Sequence, residues 1–223
     1  MKFIHGLPAV TVILVIATGC ASMSDLNNQV QAKPSCCASF RDLPYEDATE
    51  ATPLRFATTN NSQVFSFRGG KSHFLAVRIP PLPSESARLL ADVDVSLSMP
   101  AFGLEAYNNT VRAFCPAYTL LDDNYSEIAS SAVQVQFVPQ SWFRGPHWTG
   151  SFGIPKQARY LLIHTTAQLL ESSINEGPSG GYIGPYSSLG PGVVSSRHSE
   201  GNASNEYCAP DANLSITIHT GSR

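Results

Sequence analysis

Residues 91–99 alternate without exception between apolar and polar side chains, in the order Ala-Asp-Val-Asp-Val-Ser-Leu-Ser-Met. This period of two is the pattern of a β-strand that buries one face and exposes the other to water. A strand in a parallel sheet is covered on both faces and is apolar along most of its length. The alternation therefore predicts an antiparallel sheet with one face against a hydrophobic core.

Short runs of β-branched and aromatic residues, each bounded by Gly, Pro, Asn or Ser, recur along the rest of the chain and are typical of strands. They predict strands at 64–68, 73–79, 91–99, 111–121, 132–138, 149–154, 159–166 and 214–219. Helical periodicity is confined to 166–174. About eight strands and almost no helix predict an all-β fold, a two-sheet antiparallel β-sandwich of jelly-roll-like topology.

The N-terminus has the layout of a secretory signal peptide, with Lys2, an apolar stretch at 7–17 and small residues before Cys20. That stretch is shorter than the roughly 20 apolar residues that a transmembrane helix needs. The small residues resemble a bacterial lipobox, which implies a lipoprotein signal peptide at 1–19 and lipidation of Cys20. Ala21 replaces the aspartate that retains many such lipoproteins in the inner membrane. The alternative is an ordinary signal peptide cleaved nearby, with Cys20 an incidental thiol.

The chain has 223 residues, so removal of the signal leaves about the length of one domain. Residues 20–35 are mostly polar and without periodicity, which predicts a flexible tether. We expect a single β-sandwich domain over 36–223. Within it, residues from about 175 to 206 are rich in Gly, Ser and Pro, and a loop of this length is either functional or a mobile surface excursion.

Four cysteines remain after Cys20 is set aside, in a compartment that permits disulfide bonds. Three pairings of Cys36, Cys37, Cys115 and Cys208 are possible, and a bond between the adjacent Cys36 and Cys37 would be strained. We therefore expect two bridges from Cys36 and Cys37 to Cys115 and Cys208, with the connectivity left open. The chain has no C-x-x-C or H-x-x-x-H spacing, so it predicts no metal site.

Patterns that resemble catalytic groups have simpler explanations. Residues 177–181 match G-x-S-x-G, but no predicted strand precedes them and no helix follows. Asp92 and Asp94 lie on the polar face of an alternating strand, where we expect them to be solvated. Asp122 and Asp123 follow a strand and fit a turn. We therefore expect a protein that is not an enzyme. Charged residues make up only 14% of the chain, with a net charge of -3 and no basic cluster, which argues against nucleic acid as a partner.

Two indoles lie in the connection at 139–148, which also contains Gly and Pro. Trp142, Phe143, Arg144 and Trp148 form a candidate ligand-binding set, because aromatic rings with polar neighbours make small binding sites. Such rings suit sugars, which have apolar C–H faces. The alternative is that the two tryptophans close one end of the core.

Several segments, taken in order, resemble the maltose-operon periplasmic protein family. They are residues 36–40 with 43–45, 114–116 running into 120–124, 160–166, and 197–199. Together they span most of the chain from Cys36 to His219.

The resemblance implies a periplasmic accessory protein associated with carbohydrate uptake. Together with the lipobox and Ala21, it predicts a non-enzymatic lipoprotein on the periplasmic side of the outer membrane, accessory to maltose or maltodextrin transport. It implies no catalytic residue and no cofactor, and its partners would be the membrane lipid and a maltodextrin or a maltose-uptake component. Direct sugar binding is left open. One alternative is an envelope structural or protein-interaction factor that binds no sugar. Another is a eukaryotic secreted glycoprotein, suggested by N-x-S/T sequons at Asn60, Asn108, Asn124, Asn202 and Asn213.

Overall fold

The structure is a computed structural model that describes residues 23–59, 61–82, 87–96, 111–138, 145, 147–171, 173–174, 181–183, 195–196 and 206–221. Its helices are α1 (Met23–Ala32) and α2 (Ala167–Glu171), with a 3-10 turn at Phe40–Asp42. No helix in these ranges is long and apolar enough to cross a bilayer.

The described ranges contain sixteen strands. The strands are β1 (Glu46–Asp47), β2 (Leu54–Ala57), β3 (Val64–Phe67), β4 (Gly70–Arg78), β5 (Arg88–Ser96), β6 (Val111–Phe114), β7 (Ala117–Leu121), β8 (Glu127–Ala132), β9 (Val135–Val138), β10 (His147–Ile154), β11 (Tyr160–His164), β12 (Ser173–Ile174), β13 (Gly181–Ile183), β14 (Ser195–Ser196), β15 (Glu206–Ala209) and β16 (Asn213–Gly221).

Eight of these strands form the two sheets of a jelly roll. Strands β2, β16, β5 and β10 lie side by side in a seven-stranded sheet, and β4, β11, β7 and β8 lie side by side in a six-stranded sheet. All neighbours within these two sets are antiparallel. When these eight strands are numbered along the chain, the seven-stranded sheet holds strands 1, 8, 3 and 6 side by side. The six-stranded sheet holds strands 2, 7, 4 and 5 side by side, and this arrangement is the jelly-roll order. The predicted all-β sandwich is therefore confirmed.

The remaining strands extend this frame. Strands β9, β13 and β14 continue the seven-stranded sheet beyond β10, and β13 and β14 fall within the predicted long loop at 175–206. Strands β1 and β3 pair with two different parts of the same edge of β4. Strands β12, β15 and β6 form a separate three-stranded sheet.

The main core lies between the two large sheets and follows from alternation along the strands. In β5 every second residue is buried, as its period of two predicts. The core residues of the seven-stranded sheet include Leu89, Ala91, Val93, Val95, Trp148, Leu214, Ile216 and Ile218, and those of the six-stranded sheet include Leu75, Val77, Leu120, Leu161 and Ile163.

The six-stranded sheet is covered on its outer face as well. We call residues 36–45 the cover segment, because they pack across this face. The resulting outer core contains Leu43, Phe65, Phe74, Ala76, Leu121 and Leu162, with Cys37, Phe40, Tyr45, Phe67, Tyr125 and Tyr160 partly buried around them. Both faces of β4 and β11 are therefore buried, which explains why consecutive residues, and not only alternate ones, are buried at 72–77 and 161–164.

Helix α1 lies where we predicted a tether without regular structure, and it is docked. The Gln31 amide donates to the Lys71 carbonyl oxygen at 2.8 Å and accepts from the Lys71 N–H at 3.0 Å. The Lys71 ammonium donates to the carbonyl oxygens of Gln31 and Lys33, and Val30 is only 5% exposed. An isolated helix of this length is marginal in water, so contacts from a distant strand stabilise it. The prediction of a flexible tether over 20–35 is therefore wrong for 23–32.

The disulfide bonds join Cys115 to Cys208 and Cys36 to its neighbour Cys37. The predicted bridges between the two pairs are wrong. Cys115 and Cys208 lie in the main core, with Cα atoms 5.3 Å apart, whereas Cys37 packs in the outer core. The six-stranded sheet stands between these two cores, so sulfur atoms on its opposite sides do not meet.

Candidate functional site

The predicted aromatic platform is not supported at Trp148. This side chain is 1% exposed and lies in the main core, because the alternation of β10 points it to the same face as Ile154. The prediction that Trp148 binds a ligand is therefore wrong. The alternative, in which this tryptophan belongs to the core, is correct. Trp142, Phe143 and Arg144 lie outside the described residues.

A cleft of about 340 Å³ opens at the edge of the sandwich, between β4 of one sheet and β2 of the other. We call it the edge cleft. It is lined by Pro44, Tyr45, Glu46, Phe56, Ser62, Gln63, Phe74, Leu75 and Ala76. Its volume falls at the lower end of the range of small-molecule sites, roughly 300 to 1,000 Å³.

The edge cleft follows from the way in which β4 is paired. Strand β3 pairs with β4 from Gly70 to His73, and β1 pairs with it only at Val77 and Arg78. Residues 74–76 lie between the two pairings and form part of the cleft wall. The chain therefore leaves an opening in an edge that its own strands otherwise cover.

The lining of the edge cleft combines aromatic rings with hydrogen-bonding groups. Tyr45 and Phe56 are half-buried, whereas Glu46 and Gln63 are exposed. Phe56 is held from behind by an edge-on contact with Phe114, with ring centroids 6.4 Å apart. An apolar wall with a few polar groups at its mouth suits a small molecule that has both apolar and hydroxyl-bearing faces.

Tyr45 is fixed by a stack of tyrosines outside the cleft. Its ring lies 4.6 Å from that of Tyr160, which in turn stacks on Tyr125 at 4.5 Å and 16°. The Tyr45 hydroxyl donates to the Phe40 carbonyl oxygen at 2.8 Å, and burial raises the pKa of this phenol. The Arg41 guanidinium lies 5.5 Å from the centre of the Tyr125 ring. These contacts hold Tyr45 as a neutral, positioned side chain.

The turn that carries Tyr125 explains a pattern that was considered for catalysis. One carboxylate oxygen of Asp122 accepts from the N–H groups of Asn124 and Ser126, both at 2.8 Å. These bonds hold Tyr125 at φ 63°, a left-handed conformation that costs a non-glycine residue about 1 to 2 kcal/mol. The acidic pair at 122–123 is therefore a turn element, as the sequence indicated.

A second cavity, of about 260 Å³, lies between α1 and the rim of the sandwich. It is lined by Leu26, Gln29, Val30, Lys33, Thr58, Thr59, His73, Pro210 and Asp211. Nδ1 of the buried His73 is 2.9 Å from the Gln63 carbonyl oxygen, to which it donates, and burial lowers the pKa of this imidazole. Lys33 and Asp211 bring opposite charges to its lining, so the cavity has no clear preference for an anion or a cation.

The outer face of the seven-stranded sheet is polar. Asp92 and Asp94 lie on it, and the Asp92 carboxylate contacts the imidazole of His219 at 2.9 Å. In the part of the chain that the structure describes, no three His, Cys, Asp or Glu side chains gather as a metal site would require.

Sequence reasoning missed the edge cleft, because strands far apart in the sequence bring its walls together. Phe56 and Gln63 carry no local pattern that marks them as ligand-binding residues. Pro44 and Tyr45 alone fall within a segment that carries the family resemblance. No family model, curated protein or solved structure matches the chain.

Proposed function

We propose that this protein is a non-enzymatic accessory protein of carbohydrate transport that binds a maltodextrin in the edge cleft. A lipid on Cys20 would hold it on the periplasmic side of the outer membrane. The observation that carries sugar binding is the meeting of aromatic rings and exposed hydrogen-bonding side chains in one opening of about 340 Å³.

The chemistry of the lining suits a glucose unit. The rings of Tyr45 and Phe56 offer apolar surface to the C–H faces of a sugar. The carboxylate of Glu46 accepts hydrogen bonds from hydroxyl groups, and the amide of Gln63 both donates and accepts them. Because the cleft is open at the surface, we expect dissociation constants of roughly 10 μM to 1 mM.

Two further observations support the proposal. The segment 43–45 resembles the maltose-operon periplasmic family, and its Pro44 and Tyr45 line the edge cleft. Jelly-roll sandwiches also serve as lectin domains. Because a fold by itself does not imply a function, the main support comes from the side chains of the cleft.

Calorimetric titration with maltose through maltoheptaose tests the proposal. The Gln63→Ala variant should bind about two to ten times more weakly, because loss of one hydrogen bond costs roughly 0.5 to 1.5 kcal/mol. Gln136→Ala is the matched control, because this exposed glutamine lies on β9 away from the cleft. It should bind as the wild type does.

The same titration distinguishes the alternatives. Binding that survives Gln63→Ala and Phe56→Ala, but is lost in a folded Trp142→Ala variant, would move the site to the 139–148 connection. A wild-type protein that gives no heat with any of these sugars at millimolar concentration would overturn sugar binding. The protein would then be an envelope factor that binds other proteins.

A further inference from the structure

The two disulfide bonds lie in contrasting surroundings. Cys115 and Cys208 are both 1% exposed and are joined across 93 residues of sequence. Cys36 and Cys37 are neighbours in the chain, and Cys36 is exposed while Cys37 is half-buried. Only the second bond therefore includes a solvent-exposed cysteine.

Stabilisation of the fold does not account for the Cys36–Cys37 bond. A disulfide stabilises mainly by restricting the unfolded chain, and this effect grows with the length of the loop that it closes. The Cys36–Cys37 bond closes a ring that contains a single peptide bond, so it restricts the unfolded chain hardly at all. Exposed disulfides are also the ones that exchange readily with thiols.

We propose that Cys36–Cys37 is a thiol–disulfide exchange site that accepts electrons from the dithiol of a thioredoxin-like redox protein. This proposal goes beyond sugar binding and does not depend on it. The redox protein supplies both electrons and both protons. Its product is its own disulfide.

The exchange balances in two steps. A partner thiolate attacks the Sγ of the exposed residue Cys36, the bond between the two sulfur atoms breaks, and Cys37 leaves as a thiolate that takes up a proton. The partner's second thiolate then attacks the sulfur of the partner's first cysteine in the mixed disulfide. This step forms the partner's disulfide and releases Cys36 as a thiolate, which also takes up a proton. The partner is oxidised by two electrons and the Cys36–Cys37 bond is reduced by two.

The backbone around the bond is held by contacts that do not involve the sulfur atoms. The Cys36 N–H donates to the Val64 carbonyl oxygen at 2.8 Å, and the Ser35 hydroxyl donates to the Cys37 carbonyl oxygen at 3.0 Å. Cys37 also packs in the outer core. These contacts keep the two cysteines adjacent to the sheet after reduction, so the bond can form again in the same place.

Differential alkylation of the full mature protein tests the proposal. The native protein is incubated with reduced bacterial thioredoxin, alkylated with N-ethylmaleimide and mapped by peptide mass spectrometry. We expect two adducts, on Cys36 and Cys37, formed at least about tenfold faster than any adduct on Cys115 or Cys208. The Cys36→Ser/Cys37→Ser double variant should take up none under the same conditions.

A thioredoxin variant without its second active-site cysteine should become trapped as a mixed disulfide on Cys36. The proposal is overturned if no adduct forms, if the cysteines of both bonds react together, or if Cys36 and Cys37 are alkylated before any reductant is added. These readouts involve no sugar, so failure here and failure of maltodextrin binding are distinguishable.

Discussion

At the scale of single residues, His164 shows how a buried polar group is fixed in one state. Its Nδ1 is 2.8 Å from the Thr165 carbonyl oxygen, which can only accept, so Nδ1 carries the hydrogen. Nε2 therefore accepts from the Thr119 hydroxyl at 3.0 Å. The ring stacks on Phe67 at 3.8 Å. Burial lowers the pKa of His164 to about 4, against the opposing effect of its bond to Thr165.

This lowered pKa predicts how stability depends on pH. Between the unfolded pKa near 6.5 and the folded pKa near 4, the unfolded chain binds a proton that the folded protein does not. The free energy of unfolding should therefore fall by about 3 kcal/mol as the pH drops through this window. Below pH 4 this contribution changes no further.

Urea unfolding from pH 4 to pH 7.5 measures the effect. A folded His164→Gln variant keeps a donor and an acceptor and should show a clearly shallower decline towards low pH. Burial also lowers the pKa of His73, so this residue contributes to the pH dependence as well. The same measurement on a His73→Gln variant separates the contribution of His73 from that of His164. An unchanged pH dependence in His164→Gln would show that the imidazole does not titrate as described.

At the scale of secondary structure, the sequence predicted the strands whose own side chains alternate. Strands β5 and β16 are of this kind, and both overlap their predicted ranges. Strand β5 begins three residues before the predicted 91–99, and residues 97–99 lie outside the described residues. Sequence reasoning missed β1, β2 and β8, and short strands such as β1 and β2 are defined by the edges with which they pair. The prediction of one strand over 111–121 is wrong, because β6 and β7 are separate strands in different sheets. Sequence reasoning also missed α1, whose docking depends on β4, and the edge cleft, which no single element forms.

The Cys115–Cys208 bond ties the end of β6 to β15 and is expected to be the stabilising disulfide. A Cys115→Ala/Cys208→Ala double variant should lose about 3 to 5 kcal/mol of unfolding free energy, because the bond spans 93 residues. The Cys36→Ser/Cys37→Ser variant is the matched control and should lose less than about 1 kcal/mol. Equal losses in the two variants, measured by urea unfolding, would contradict this division of roles.

At the scale of the whole molecule, the two-sheet architecture could be predicted because many weak strand patterns agree. The disulfide pairing could not, because it depends on which side of a sheet each sulfur reaches. The two-sided burial of the six-stranded sheet was also out of reach, since the residues of the cover segment show no strand or helix period. Both features depend on packing between residues that are distant in the sequence, which local sequence patterns do not reveal.

The proposed lipid anchor concerns the N-terminus and is tested on the full chain. A Cys20→Ser variant should lose lipid and leave the membrane fraction, because the thiol of Cys20 is the proposed site of attachment. Mass spectrometry of the mature N-terminus measures both. The Cys36→Ser/Cys37→Ser variant should keep its lipid. A native protein whose Cys20 carries no lipid would end the lipoprotein proposal.

The docking of α1 sets how far an anchored molecule could extend from its membrane. Met23, where the helix begins, is three residues from Cys20, and a residue spans at most about 3.6 Å. The lipid would therefore lie within about 11 Å of a helix fixed to the sandwich. Leu75 in the edge cleft is four residues along β4 from Lys71, where α1 docks, a distance of about 13 Å. The helix from Met23 to Gln31 adds about 12 Å to this path. Under the proposed anchor, the cleft would therefore stay within roughly 40 Å of the lipid.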